Sequence, residues 1–83
     1  MARAGAAPLQ LLVREGCHLC DEFLLEFSLD QPALLPGLTL CDIDSDPTLA
    51  AEFGLRVPVL RAGEQVACEG RYDHAKVAAA LRL

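Results

Sequence analysis

Basic residues are scarce in this chain of 83 residues. Seven Lys and Arg stand against twelve Asp and Glu, which gives a formal net charge of −5. Nucleic acids and anionic membrane surfaces are bound mainly through clustered Lys and Arg. The composition therefore argues against both kinds of partner.

Long apolar runs are also missing. The run Leu9–Val13 is too short to span a membrane, and residues 1–7 contain no apolar stretch of signal-peptide length. We therefore predict a frayed segment at 1–7, a single domain at 8–83 and a cytoplasmic location. In a reducing cytoplasm, disulfides are usually transient and catalytic rather than structural.

Internal repeats and linkers are absent too, so the chain has room for one domain only. Although a chain this short buries a limited core, its composition is 53% hydrophobic. That is enough apolar surface to fold without a metal or a structural disulfide.

One motif with reactive side chains is present, Cys17-His18-Leu19-Cys20. It stands between the apolar run Leu9–Val13 and a segment with helical periodicity. If that segment is helical from about residue 18, both cysteines lie on one face of its first turn, at about the Cα separation of 5.5 Å that a disulfide needs. A helix N-terminus also favours a thiolate over a thiol. The motif therefore predicts a reversible redox dithiol.

Hydrophobic periodicity and turn residues predict the element order βαβαββα. We expect an α/β fold with a four-stranded mixed sheet, its first two strands parallel, and helices on both faces. Strands are predicted at 9–14, 38–43, 56–61 and 65–69. Helices are predicted to begin near residue 18, after the cap Asp46 and after the cap Asp73, with a loop around Pro32, Pro36 and Gly37.

Three side chains near the predicted dithiol are candidates for tuning it or binding its substrate. A protonated His18 would stabilise the Cys17 thiolate, and otherwise His18 is a solvated residue at the helix start. Arg14 and Arg56 are the nearest basic groups. Each either holds a substrate carboxylate or has a plain surface role.

These features together resemble the thioredoxin fold, and in particular the glutaredoxin-like family of small thioredoxin-fold proteins. The residues that carry the resemblance are REGCHLCD at 14–21 and GLRVPVL at 54–60. The resemblance implies that Val57-Pro58 is cis, packs beside the dithiol and pairs through the Val57 backbone with a substrate peptide or glutathione. Gly70 and Asp73 match half of the family's signature for the γ-glutamyl end of glutathione.

The expected function is that of a thiol–disulfide oxidoreductase. Cys17, at the exposed start of the helix, is the predicted nucleophile. Cys20, on the apolar stripe of that helix, is the predicted resolving thiol. We expect a monomer without a bound cofactor, with glutathione as a candidate co-substrate. Its partner is expected to be a disulfide-containing protein or a low-molecular-weight thiol.

Two alternatives belong to other classes of protein. One is a zinc site built from all four cysteines, Cys17, Cys20, Cys41 and Cys68, although zinc ribbons usually show two CxxC pairs and this chain has one. The other is a non-catalytic binding module that uses the groove beside Val57-Pro58. Outside a zinc site, Cys41 and Cys68 are predicted to be small buried apolar residues, and His74 is predicted to be solvated.

Overall fold

The computed structural model describes residues 8–83, so the predicted frayed segment at 1–7 lies outside the described residues. The order of strands and α-helices is βαβαββα, as expected. The strands are β1 (Leu9–Val13), β2 (Leu38–Asp42), β3 (Val59–Ala62) and β4 (Gln65–Glu69); the α-helices are α1 (His18–Asp30), α2 (Pro47–Phe53) and α3 (His74–Leu81).

The four strands form one mixed sheet in the order β2-β1-β3-β4. β1 pairs with β2 in parallel and with β3 antiparallel, and β4 pairs antiparallel with β3. The predicted mixed sheet and its parallel first pair are therefore confirmed.

The core lies on both faces of this sheet, because successive strand residues point to opposite sides. Leu11 and Leu60 belong to one cluster, where α1 and α3 supply the large side chains Phe23, Phe27 and Val77. Leu12 and Val59 belong to a second cluster, with Ile43 and Phe53. α1 and α3 thus cover one face and α2 covers the other, so the prediction of helices on both faces is confirmed.

The third strand begins later than the prediction of 56–61. The backbone N–H groups of Arg56 and Val57 both donate to Phe53 O, at 2.8 and 3.2 Å. These bonds continue the turn that ends α2, so β3 begins only at Val59, after Pro58. The prediction that Arg56 to Pro58 are part of the strand was wrong.

Smaller corrections concern the segments around β2. Residues 32–37, predicted as a loop, form the 3-10 helix Pro32–Gly37. The second strand ends at Asp42 rather than Ile43, because the Asp42 carboxylate accepts the Asp44 N–H at 2.9 Å and starts the 3-10 helix Ile43–Ser45. β1 ends one residue early, at Val13.

None of the helices in residues 8–83 combines the length and the apolar character that crossing a membrane requires.

Candidate active site

Four segments meet at one edge of the sheet, the one where β1, β2 and β4 end and β3 begins. This edge carries the CxxC motif. Leu12 pairs with Val59, so the loop after β1 lies beside the residues that precede β3. Val59 in turn pairs with Glu69, which brings the end of β4 to the same edge. The segment after β2 joins them because β2 runs parallel to β1.

The backbone before α1 turns sharply to present Cys17. Gly16 has φ +75°, a conformation that favours glycine, and the Cys17 N–H donates to Arg14 O at 3.3 Å. Cys17 is the N-cap of α1, and its sulfur accepts the Cys20 N–H at 3.0 Å. The first cysteine therefore stands at the positive end of a helix of 13 residues.

Cys17 and Cys20 form a disulfide with a Cα–Cα distance of 5.2 Å. Their environments differ, because Cys17 is half-buried whereas Cys20 is only 4% exposed. Cys20 shares its buried helix face with Phe23 and Phe27. An incoming disulfide therefore has access to the sulfur of Cys17 rather than to that of Cys20.

His18 is exposed in the first turn of α1, next to Cys17. From this position a protonated imidazole would stabilise the Cys17 thiolate. The tuning role of His18 stays a prediction.

The segment before β3 presents Pro58 at the same edge. The Val57–Pro58 peptide bond is cis, as the resemblance implies, and Pro58 is fully buried. Gly70, which has φ +78°, donates its N–H to Pro58 O at 2.8 Å. The Val57 N–H already donates to Phe53 O, so a substrate strand at Val57 would have to pair through its carbonyl.

Asp73 lies beyond Gly70 and caps the third helix. Its carboxylate accepts the Lys76 N–H at 3.1 Å. Any contact of Asp73 with a substrate would compete with this capping bond. The proposed substrate roles of Gly70 and Asp73 stay predictions.

Arg14 is held by the carboxylate of Asp44, in the 3-10 helix that follows β2. Its guanidinium donates to both oxygens of Asp44, at 3.0 and 3.0 Å, and to Gly54 O at 3.1 Å. The hydrogen bonds from Arg14 hold the pKa of Asp44 below its usual range. Arg14 therefore bridges the 3-10 helix after β2 and the end of α2.

Arg56 is held in the same manner by Glu69 at the end of β4. Two hydrogen bonds of 3.1 and 2.8 Å join them, and the guanidinium lies 4.7 Å from the Phe53 ring centroid. These bonds keep the pKa of Glu69 below its usual value. The substrate roles predicted for Arg14 and Arg56 are untested, but both groups already have a carboxylate partner.

Sequence reasoning missed Asp44 and Glu69 as parts of this site. Asp44 is 30 residues from Arg14, and Glu69 is 13 residues from Arg56. No local spacing links these residues. Only the strand pairing that brings the four segments to one edge makes them neighbours.

Cys41 and Cys68 lie on opposite faces of the sheet and do not join the Cys17–Cys20 pair in one cluster. Cys68 is buried in the cluster of Leu11, as predicted. Cys41 is only half-buried where it packs against the cluster of Leu12, so the prediction that it is buried was wrong. The Cys68 thiol donates to Arg71 O at 3.2 Å, and burial raises its pKa. Within residues 8–83, no group of three or more His, Cys, Asp or Glu side chains is arranged to hold a metal ion.

Comparison with known proteins identifies several similar domains. A family model described as Glutaredoxin-like domain (DUF836) matches residues 8–82. Among solved structures, the crystal structure of the structural genomics target XcR50 from X. campestris is 34% identical, with a TM-score of 0.70 over 89% of this chain and 95% of that one. The solution structure of Ne2328 from Nitrosomonas europaea is 30% identical, with a TM-score of 0.76 over 89% of each chain. No curated protein matches the chain.

Proposed function

We propose that this chain, which belongs to the family of glutaredoxin-like domains and has their thioredoxin-like fold, is a thiol–disulfide oxidoreductase. The family and the fold confirm the resemblance drawn from the sequence. The observation that carries the activity is the pairing of Cys17 with Cys20 at the N-terminus of α1, at the sheet edge where Pro58 precedes β3.

The reaction begins from the reduced dithiol. The Cys17 thiolate attacks one sulfur of a substrate disulfide, which forms a mixed disulfide and releases the other substrate sulfur as a thiolate. Cys20 then loses its proton and attacks the Cys17 sulfur, which releases the second substrate thiolate. The substrate disulfide gains two electrons, and the Cys17–Cys20 disulfide forms.

The roles of the two cysteines follow from their positions. Cys17 is the more accessible and caps the helix, where unpaired N–H groups stabilise a negative sulfur. Cys20 is only 4% exposed and lies on the core-facing side of α1. Burial disfavours its thiolate, so Cys20 reacts only once the mixed disulfide on Cys17 lies beside it. An exposed, protonated His18 would add to the stabilisation of the Cys17 thiolate.

The proposed activity needs no bound cofactor, because the two sulfur atoms carry both electrons. We place it in the cytoplasm, where a dithiol or glutathione would return the disulfide to its reduced form. The protein would act as a monomer on a disulfide-containing protein or a low-molecular-weight disulfide.

A redox titration with trapping variants tests the proposal. In graded thiol buffers, acid-quenched alkylation and peptide mass spectrometry should find a reversible Cys17–Cys20 disulfide. Cys20→Ala should accumulate a mixed disulfide on Cys17, whereas Cys17→Ala should form none, because it lacks the nucleophile. Cys41→Ala is the matched control and should titrate like the wild type.

Two results would contradict the proposal. Accumulation of the mixed disulfide on Cys20 would reverse the assigned roles. Cysteines that stay reduced through the whole titration would leave a non-catalytic binding module at the Val57–Pro58 groove as the better interpretation.

A further inference from the structure

β2 is an edge strand, because within residues 8–83 it pairs only with β1. Its pairing with β1 is unbroken from Leu38 to Asp42. The strand contains no Pro, no Lys and no bulge, features by which proteins prevent other chains from pairing with a sheet edge. The opposite edge strand, β4, pairs with β3 through an irregular register. The outer edge of β2 is therefore the better template for an additional strand.

A leucine-lined cleft opens next to this edge. Leu35 of the 3-10 helix Pro32–Gly37 and four side chains of α1 line a volume of about 390 Å³. The α1 residues are Asp21, Leu24, Leu25 and Ser28. The Leu38 N–H donates to Leu35 O, which places the cleft at the start of β2. Leu25 and Leu35 are 59% and 38% exposed, so an apolar side chain of another molecule can bury them.

Leu40, in the middle of β2, extends this apolar surface. It is 53% exposed and pairs with Leu11, whose side chain belongs to the core cluster beneath α1. Strand residues that pair in register point to the same face of a sheet, so Leu40 lies on the face that α1 covers. A strand added at β2 would therefore place every second side chain on the face of Leu40 and the cleft.

The elements around the cleft carry carboxylates and no Lys or Arg. α1, the 3-10 helix and β2 lie within residues 18–42, which contain five Asp or Glu. These are Asp21, Glu22, Glu26, Asp30 and Asp42. Asp21 lines the cleft itself. Asp42 pairs with Val13, which packs against the same cluster as Leu11, so its carboxylate lies on the same face. Asp21 and Asp42 therefore form an acidic rim at the end where α1 begins and β2 ends.

The cations of residues 8–83 leave this rim negative. Arg14 also acts on Asp42, but two hydrogen bonds already join it to Asp44. Asp21 has no ion-pair partner within residues 8–83. Arg61 belongs to the other face of the sheet, where it lies over the ring of a residue in the cluster of Leu12. α3 contacts β4, at the opposite edge. The remaining cations lie close to β4 or α3, and they are Arg56, Arg71, Lys76 and Arg82.

We infer that the edge of β2 and this cleft bind an extended segment of another polypeptide, with apolar residues at alternate positions and Lys or Arg beside them. The backbone of the segment would pair with β2, and its apolar side chains would cover Leu25, Leu35 and Leu40. Its cations would neutralise Asp21 and Asp42.

Charge decides between this occupant and a second copy of the chain. Pairing of β2 with the β2 of a second copy would bring two sets of carboxylates together, and the elements in contact would supply no Lys or Arg. A segment from a different polypeptide can supply them. The segment needs no cysteine, so the inference goes beyond the proposed function.

Titration with synthetic peptides tests the inference. The probes are three cysteine-free peptides of equal length: an alternating Val/Thr segment with lysines at both ends, the same segment with glutamates at both ends, and the lysine peptide with its valines grouped together. Amide NMR spectra of the protein give the dissociation constant and the residues affected. At low ionic strength the alternating lysine peptide should bind about tenfold more tightly than the other two and shift the resonances of residues 38–42. The difference between lysine and glutamate ends should shrink as salt is added.

Paired substitutions on α1 separate the apolar contact from the charge. Leu25→Ser should weaken binding of the lysine peptide about fivefold, because it removes an apolar contact. Leu29→Ser is the matched control, since Leu29 is 74% exposed on the same helix but lines the pocket beside His74. Asp21→Asn should weaken binding of the lysine peptide about threefold and that of the glutamate peptide not at all. Glu26→Gln is its control, because Glu26 lines the same pocket as Leu29.

Several results would overturn the inference. They are equal affinities for the lysine and glutamate peptides, resonances of residues 38–42 that do not shift, and equal losses in Leu25→Ser and Leu29→Ser. Sedimentation equilibrium of the protein without peptide adds one more, since a dimer that Leu40→Lys dissociates would assign the edge to a second copy. None of these results bears on the redox titration of Cys17 and Cys20, so the proposed function stands or fails separately.

Discussion

The carboxylate of Asp30, the last residue of α1, contacts Tyr72, which lies between β4 and α3, and His74, the first residue of α3. The Tyr72 hydroxyl donates to it, and His74 Nδ1 lies 2.8 Å away. Hydrogen bonding to Asp30 raises the pKa of His74, and the contact with His74 lowers the pKa of Asp30. His74, expected to be solvated, is exposed but is also tied to α1.

This pair predicts a pH-dependent contribution to stability. The contribution of the Asp30 carboxylate to stability is present above the ordinary carboxyl pKa of 3.8 and is lost as pH falls through the lowered pKa. The contribution of protonated His74 to stability is present below the ordinary imidazole pKa of 6.5 and is lost as pH rises through the raised pKa. The coupling should therefore be largest between about pH 4 and pH 6.5.

A double-mutant cycle of Asp30→Asn and His74→Ala, followed by urea unfolding, measures this coupling at pH 5.5 and at pH 9. The cycle separates the His74 contact from the bond that Tyr72 makes to the same carboxylate. A coupling free energy of the same size at both pH values would contradict the protonated-histidine account.

At the scale of single elements, α2 shows how much a short helix depends on its ends. It has only seven residues, Pro47–Phe53, too few to be stable alone. Asp46 caps it by accepting the N–H groups of Thr48 and Leu49 at 2.9 and 3.4 Å. Pro47 stands at the first helical position, where its missing N–H costs nothing.

Removal of this cap should be measurable. Asp46→Ala leaves two N–H groups without their acceptor and should lower the free energy of unfolding by about 1 kcal/mol. Asp46→Asn keeps a capping oxygen and should recover most of the loss. Urea unfolding of the three proteins gives the comparison, and equal losses in the two variants would show that charge rather than capping matters.

At the scale of the whole molecule, the sheet separates two clusters that, among residues 8–83, share no side chain. Val77 of α3 belongs to the cluster of Leu11, and Phe53 of α2 belongs to the cluster of Leu12. Both are at most 2% exposed. Because the clusters lie on opposite faces, a cavity in one should leave the packing of the other intact.

Core substitutions on opposite faces should therefore be additive. Val77→Ala and Phe53→Leu should each lower the free energy of unfolding by about 1–3 kcal/mol, and the double variant should show their sum to within about 0.5 kcal/mol. The comparison is Phe27→Leu combined with Val77→Ala, since both residues lie in one cluster. Here the loss of unfolding free energy in the double variant should differ from the sum of the two single losses. Non-additivity across the sheet would contradict independent packing.

Most of the fold could be predicted because its signals are local. The apolar run of β1, the helical stripe of Cys20, Phe23 and Phe27, and the caps Asp46 and Asp73 all act within a few residues of chain. The start of β3 was predicted too early, because no residue pattern signalled that the turn after α2 would continue until Phe53 O had accepted the N–H groups of Arg56 and Val57.

In the candidate site, too, the residues close together in sequence could be predicted and those far apart could not. Cys17 and Cys20 are separated by a single turn of helix, so spacing and amphipathicity were sufficient to assign a dithiol with one accessible and one buried sulfur. The partners of Arg14 and Arg56 come from other strands, 30 and 13 residues away. Sheet pairing alone made Asp44 and Glu69 their neighbours, because a carboxylate neutralises a guanidinium only where the folded chain brings the two within hydrogen-bonding distance.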